Sequence, residues 1–216
     1  MRVKVKICGI TLQEDLDACV EAGADAVGFV VGTPSSPRNL SPEGAEKLIE
    51  RKPQSVQGVL VSVPKSVGEV AEACSRLKLN TVQIHGNNYV DDVLLRETLW
   101  NSTLIRAVNA NSPNALSDAL RASRTYDAVI VDSCARGQHG GTGLVHDWEL
   151  SRSIRKVSHP KKMILAGGLT PENVAEAVRK VRPFAVDVSS GVELRFGIKS
   201  HEKIFEFVEN AKTVEL

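Results

Sequence analysis

The chain has 216 residues, 42% hydrophobic and 25% charged, with a formal net charge of +1 at pH 7. That length fits one large domain or two small ones, and it buries enough surface to need no covalent staples. Near-zero charge argues against a broad nucleic-acid-binding face, and two Trp, two Tyr and five Phe leave little for base stacking.

No apolar run approaches the ~18–20 residues that span a bilayer. The opening Met1-Arg2-Val3-Lys4-Val5-Lys6 is a charged alternating segment, not a signal-peptide core. Cys8, Cys19, Cys74 and Cys134 lack CxxC spacing, so no zinc or redox motif is expected. The expectation is a reduced, cytoplasmic chain with no membrane or nucleic-acid partner, no metal and no cofactor.

Short β-branched runs alternate with longer amphipathic segments. Val3–Ile7 reads as a strand, and Thr11 with Glu14 reads as a capping box opening a helix. Ala26–Val31 is the second strand. Ser41-Pro42-Glu43 opens a helix to about Arg51, with proline at its first position. Val56–Val61 is the third strand, followed by a helix capped by Ser66 and Glu69. Thr81–Ile84 and the helix Val90–Leu99 follow, then Leu104–Val108 and the helix Pro113–Ala122. Ala128–Val131 precedes a glycine-rich loop, after which Asp147 caps a helix to about Val157. Met163–Ala166, a helix capped at Thr170-Pro171-Glu172, Ala185–Val188 and a last helix over His201–Ala211 complete the chain.

These are eight strand–helix units of about 27 residues, enough for a strand, a helix and two tight loops. Strict alternation implies a parallel sheet, and nearly all-apolar strands imply cover on both faces. Eight such units close into a (β/α)8 barrel, an α/β fold, here one domain over residues 1–216. An open doubly wound sheet is the alternative, but no GxGxxG follows the first strand.

In a barrel of this kind function sits at the C-terminal ends of the strands. The unusual residues fall there. They include Cys8-Gly9 after the first strand, Arg38 after the second, and His85-Gly86 after the fourth, with the fifth ending near Arg106. Asp132 and then Gly140-Gly141-Thr142-Gly143 follow the sixth strand. Gly167-Gly168 follows the seventh, and Asp187-Val188-Ser189-Ser190-Gly191 the eighth. Glycine lets backbone N–H groups approach an anion, and a short helix after the eighth strand would add its positive end. Gly141, Thr142, Gly143, Gly167, Gly168, Ser189, Ser190 and Gly191 are therefore candidate phosphate contacts, although paired glycines also make plain turns.

Cys8 and Asp132 would face each other across the mouth, where a small molecule could lose a proton to one group and gain one from the other. A cysteine base would need its pKa lowered, and the helix start at Thr11 is a candidate source. Asp132 would need a raised pKa or a proton from the intermediate. Either residue could instead simply pack or cap. Arg38 suits a planar carboxylate, or is a solvated charge. His85 could line the pocket or hold structure. Asp187 could accept from sugar hydroxyls or hold a loop.

Lys6-Ile7-Cys8-Gly9-Ile10, Gly23-Ala24-Asp25-Ala26-Val27-Gly28-Phe29 and Ser36-Pro37-Arg38 resemble phosphoribosylanthranilate isomerases. So do Gln83-Ile84-His85-Gly86, Asp132-Ser133, Gly140-Gly141-Thr142-Gly143, Leu165-Ala166-Gly167-Gly168-Leu169 and Val186-Asp187-Val188-Ser189-Ser190-Gly191-Val192-Glu193. The resemblance spans nearly the whole chain in order. It implies a (β/α)8 barrel performing a cofactor-free Amadori rearrangement of a phosphorylated aminosugar in tryptophan biosynthesis. By that resemblance Cys8 stands at the general base, Asp132 at the general acid and Arg38 at the carboxylate contact. Asp187 stands near the sugar hydroxyls, and the last three rim loops at the phosphate.

Two places depart from the family's pattern. Phe196-Gly197-Ile198-Lys199-Ser200 stands where Pro-Gly-x-Lys-Asp is common, with Ser200 still able to cap the last helix. Leu60-Val61-Ser62-Val63 stands where Phe-Val-Asn often occurs. Two other readings are a barrel isomerase acting on the histidine-pathway aminosugar, which should carry an acid where Cys8 stands, and a non-catalytic phosphate-ligand-binding barrel.

Overall fold

The computed structural model of the chain describes residues 2–86, 91–133 and 147–215. Eight parallel strands form the centre. They are β1 (Lys4–Cys8), β2 (Ala26–Val31), β3 (Gln57–Ser62), β4 (Thr81–Ile84), β5 (Thr103–Asn109), β6 (Ala128–Asp132), β7 (Lys162–Leu165) and β8 (Ala185–Val188). Each pairs with its neighbours in sequence order, and β1 pairs with both β2 and β8, so the sheet closes on itself. The helices that follow the strands are α1 (Gln13–Glu21), α2 (Pro42–Arg51), α3 (Val67–Leu77), α4 (Asp92–Thr98), α5 (Ala115–Thr125), α6 (Trp148–Ser158), α7 (Val174–Val181) and α8 (His201–Lys212).

Side chains alternate along a strand, so each strand feeds two cores. Val5, Ile7, Val27, Phe29, Leu60, Val82, Leu104, Val129, Leu165 and Val186 face outward and pack with Leu16, Leu48, Leu95, Ile154, Val178 and Phe207 of the helices. Burying each such side chain is worth ~1.5–3 kcal/mol, which makes this outer layer the main source of stability. The inner core is smaller and built from Cys8, Val30, Val59, Val61, Ile105, Ala128, Ile130, Ile164, Ala166 and Ala185. The near-continuous apolar strands of the sequence are two interleaved sets, one for each core.

The helix starts follow local chemistry. Ser41 accepts from Gly44 N at 3.1 Å with Pro42 beside it, Ser66 accepts from Glu69 N at 3.3 Å, and Asp147 accepts from Glu149 N at 2.9 Å. Ser200 accepts from Lys203 N at 3.3 Å, so the serine of the departing segment does cap α8.

Two expected caps are different. Leu12, not Thr11, precedes α1, because the Thr11 hydroxyl donates to the Gly197 carbonyl instead. Thr170 begins a turn rather than α7. Asn173 N and Val174 N both donate to its carbonyl, and the helix starts at Val174.

β5 also runs to Asn109, so Arg106 lies within the strand rather than at its end. It has outer-face parity, and its guanidinium donates to the Gly86 carbonyl at 2.9 Å. Three short elements carry too little periodicity to be read from sequence. They are the strand Asn39–Leu40 beside β2, a 3-10 turn over Ser190–Val192, and a hairpin pairing Glu193–Arg195 with Ile198–Lys199. Among the described residues no helix is long and apolar enough to cross a membrane.

Candidate active site

Cys8 ends β1 with the inward parity of Lys6, one pleat below it. It is 8% exposed, at the top of the inner core. β2 passes beside it through Gly28. A Cβ on Gly28 would lie 2.9 Å from the Cys8 sulfur and 3.3 Å from Lys6 Cε, so only glycine leaves room for both side chains. Asp132 ends β6, three positions from β1 around the ring, with the inward parity of Ala128 and Ile130. Its carbonyl accepts from Ala110 N at 2.8 Å, which fixes its backbone against the end of β5.

Two groups of buried charges flank Cys8. In the first, Lys6 Nζ donates to Asp187 Oδ1 at 2.7 Å, both side chains being buried, and the strand register sets Lys6 directly opposite Asp187. In the second, Arg38 donates to both carboxylate oxygens of Glu193 at 2.7 Å through Nε and a terminal nitrogen. Lys199 Nζ donates to the same carboxylate at 2.8 Å and to the Ser189 carbonyl at 3.1 Å.

Arg38 is thus no solvated charge. It is 4% exposed, clamped bidentately, with the Phe196 ring 5.9 Å from its guanidinium carbon. Gly9 makes that possible. Its φ of +75° suits glycine, and a Cβ there would come within 2.4 Å of Arg38 Cδ.

Burial dominates the electrostatics. It pushes the Cys8 thiol up, Lys6 and Lys199 pull it back, Asp187 pushes it further, and the result is above the ordinary thiol value. The expected lowering by a helix start at Thr11 is therefore corrected. α1 begins only at Gln13, and the groups that favour the thiolate are the two lysines. Burial alone would lower Lys6, but Asp187 and Cys8 outweigh it and hold the ammonium above its usual range. Burial holds Lys199 below the ordinary lysine value despite the pull of Glu193. Burial would raise Glu193, but Arg38 and Lys199 bring its carboxyl below the usual range.

The glycine loops converge. A Cβ on Gly167, whose φ is +78°, would sit 2.4 Å from Ser133 N, and one on Gly191 would sit 1.9 Å from the Leu169 carbonyl. The loop after β7 therefore touches both the end of β6 and the turn after β8. Gly168 lends its carbonyl to the Asn173 amide at 2.8 Å, and Ser189 and Ser190 begin the 3-10 turn. Gly141, Thr142, Gly143 and Cys134 lie outside the described residues.

His85 Nε2 lies 2.5 Å from the buried Gln83 amide nitrogen and bonds through its backbone N–H to Ser62. Among the described residues no group of His, Cys, Asp and Glu could hold a metal ion. The sequence reading passed over Lys6, Glu193 and Lys199. A second lysine, beyond the exposed Lys4 and one pleat below Cys8, was the available signal.

Eight parallel strands, a ring of helices and a polar C-terminal rim define a (β/α)8-barrel enzyme. Residues 5–210 match the family model for N-(5'-phosphoribosyl)anthranilate (PRA) isomerase. The chain is 42% identical over 210 residues to an N-(5'-phosphoribosyl)anthranilate isomerase of Haloarcula marismortui, covering 97% of this chain and 96% of the relative. A Thermotoga maritima phosphoribosyl anthranilate isomerase structure superimposes with a TM-score of 0.87 at 39% identity, covering 98% of this chain and all of that one. A phosphoribosyl anthranilate isomerase solved in complex with reduced 1-(o-carboxyphenylamino)-1-deoxyribulose 5-phosphate gives a TM-score of 0.83 at 38% identity, over 98% of this chain and 100% of that one. The chain belongs to the N-(5'-phosphoribosyl)anthranilate isomerase family, enzymes of tryptophan biosynthesis.

Proposed function

We propose that the chain carries out the Amadori rearrangement of N-(5'-phosphoribosyl)anthranilate to 1-(2-carboxyphenylamino)-1-deoxyribulose 5-phosphate, with Asp132 as general acid and Cys8 as general base. The observation that carries this reading is the pairing of two ionisable side chains of inward parity at the C-terminal ends of β1 and β6. Asp132 protonates the ring oxygen while the anilino nitrogen lone pair forms the C1=N bond, and the furanose opens to a Schiff base. The Cys8 thiolate then takes the proton from C2, and the electron pair of that C–H bond flows through to nitrogen, leaving an enolamine. Loss of the C2 hydroxyl proton and protonation at C1 give the ketone. C2 is oxidised as C1 is reduced, so the electrons balance within the substrate and no cofactor is required.

Binding roles follow the same geometry. Arg38, whose planar guanidinium is held in orientation by Glu193, suits the anthranilate carboxylate. The resemblance assigns Asp187 and His85 to the sugar, and Gly167, Gly168, Ser189, Ser190 and Gly191 to the phosphate, together with Gly141, Thr142 and Gly143, which lie outside the described residues. The ligand named in the relative's complex supports a phosphorylated substrate of this class.

The test is loss of the fluorescence of the anthranilate-linked substrate. Cys8→Ser and Asp132→Asn should each lower turnover by orders of magnitude (~10²–10⁴-fold) while product binding survives. Near-normal turnover in either variant refutes the assignment.

A further inference from the structure

A lysine inside the barrel requires an explanation that stability does not provide. The Lys6 ammonium is buried in a layer of small neighbours, pairing with Ala26 in the strand register and with Gly28 close to its stem. An ion pair so deep contributes little beyond what an apolar residue of similar volume would, because desolvation offsets its attraction. Methionine would fill the same space. What the charge has that methionine lacks is its neighbour, since Lys6 and Cys8 share one face of β1 and both border the space left by Gly28, whose Cβ would lie 2.9 Å from the Cys8 sulfur and 3.3 Å from Lys6 Cε.

We propose that Lys6 is a positioning residue for this reaction, its buried ammonium, restrained by Asp187, being the positive charge against which the Cys8 sulfur ionises. The inference rests on Cys8 being the base. Among the described residues, three charged groups act on the sulfur. They are Lys6 from β1, Asp187 from β8 and Lys199 from the hairpin after β8, while Gly28 of β2 brings no side chain. Lys199 is already compensated by Glu193, which it shares with Arg38. Asp187 therefore has two effects. It holds Lys6 in place, and it opposes the thiolate directly. The opposed signs separate this arrangement from a merely structural ion pair.

The experiment is a thiolate ultraviolet titration of the full chain, with the Cys8→Ser protein subtracted so that only Cys8 is read, alongside the pH profile of kcat/KM. In Lys6→Met/Asp187→Asn, where no unpaired charge is left buried, the Cys8 titration should move up by about one pH unit or more, a tenfold change in ionisation. The acid limb of kcat/KM should move with it, and the urea midpoint should not fall. Lys6→Arg, which keeps the charge, should restore most of the shift. Asp187→Asn alone should move the titration down, and it tests the proposal even if the double variant does not fold.

An unmoved titration in the double variant overturns the proposal. So do shifts of the same sign in the double variant and in Asp187→Asn. Failure of the base assignment is read separately, as turnover surviving in Cys8→Ser, because the titration needs no turnover.

Discussion

At the N-terminal end of the barrel, Asp25 and Asp127 each stand one residue before a strand, and each binds the strand that immediately precedes it in the chain. Asp25 accepts from Val5 N of β1 at 2.9 Å and from Lys4 at 2.7 Å, and Asp127 accepts from Leu104 N of β5 at 2.8 Å and from Arg96 at 2.7 Å. The two sites are four strands apart and use the same bonds, half a barrel from each other. At the opposite end, Asp187 and Glu193 are buried, and the cations they bind among the described residues are themselves buried. The lower carboxylates anchor strand starts in reach of water. The upper ones hold charges in a buried layer under the mouth. The first arrangement contributes to stability, and the second adds little of its own because desolvation offsets its attraction.

Removing one partner of the upper network should have the largest effect. Glu193→Gln leaves Arg38 and Lys199 buried without their counter-charge, and it should destabilise the fold by roughly 3–5 kcal/mol in urea unfolding. A smaller loss would show that the cations relax into water. Next comes Gly28→Ala. Its methyl would meet the Cys8 sulfur, and a displacement of about 1 Å should reduce kcat roughly 100-fold. Gly68→Ala, whose methyl meets nothing closer than Ser66 Oγ at 3.8 Å, is the control and should leave kcat unchanged.

The smallest effects belong to the lower end. Asp25→Ala and Asp127→Ala should each cost about 1 kcal/mol, with turnover intact, because water replaces part of what is lost. Burial would raise both carboxyls, but their hydrogen bonds and cations outweigh it and hold both below the ordinary aspartate value. Their contribution is therefore complete above ~3.9, the unfolded aspartate value, and disappears as pH falls through the depressed folded one. Urea unfolding at decreasing pH should show wild type and variants converging. A gap that persists would place the stabilisation in packing instead.

Much of this was legible in the sequence because it is local. Alternating strands and helices, the serine caps of α2, α3 and α8, and the glycine-rich strand ends all depend on residues within a few positions of one another. The charges around Cys8 do not. Lys6 meets its partner 181 residues away, and Arg38 meets Glu193 155 residues away. No window of sequence shows that a lysine in the first strand is neutralised by the eighth, nor that an arginine of the mouth is gripped from below. Thr11 misled for the same reason, since its preferred partner is the Gly197 carbonyl, 186 residues on.

The hairpin Glu193–Lys199 has a consequence for a chain made from one end to the other. Cys8, Lys6 and Arg38 are made well before Asp187, Glu193 and Lys199. Until those arrive, the ion pairs of Lys6 with Asp187 and of Arg38 with Glu193, and the bonds from β1 to β8, cannot form. Closing the ring and pairing the charges beneath its mouth are thus coupled: neither can be completed without the last strand and the hairpin after it.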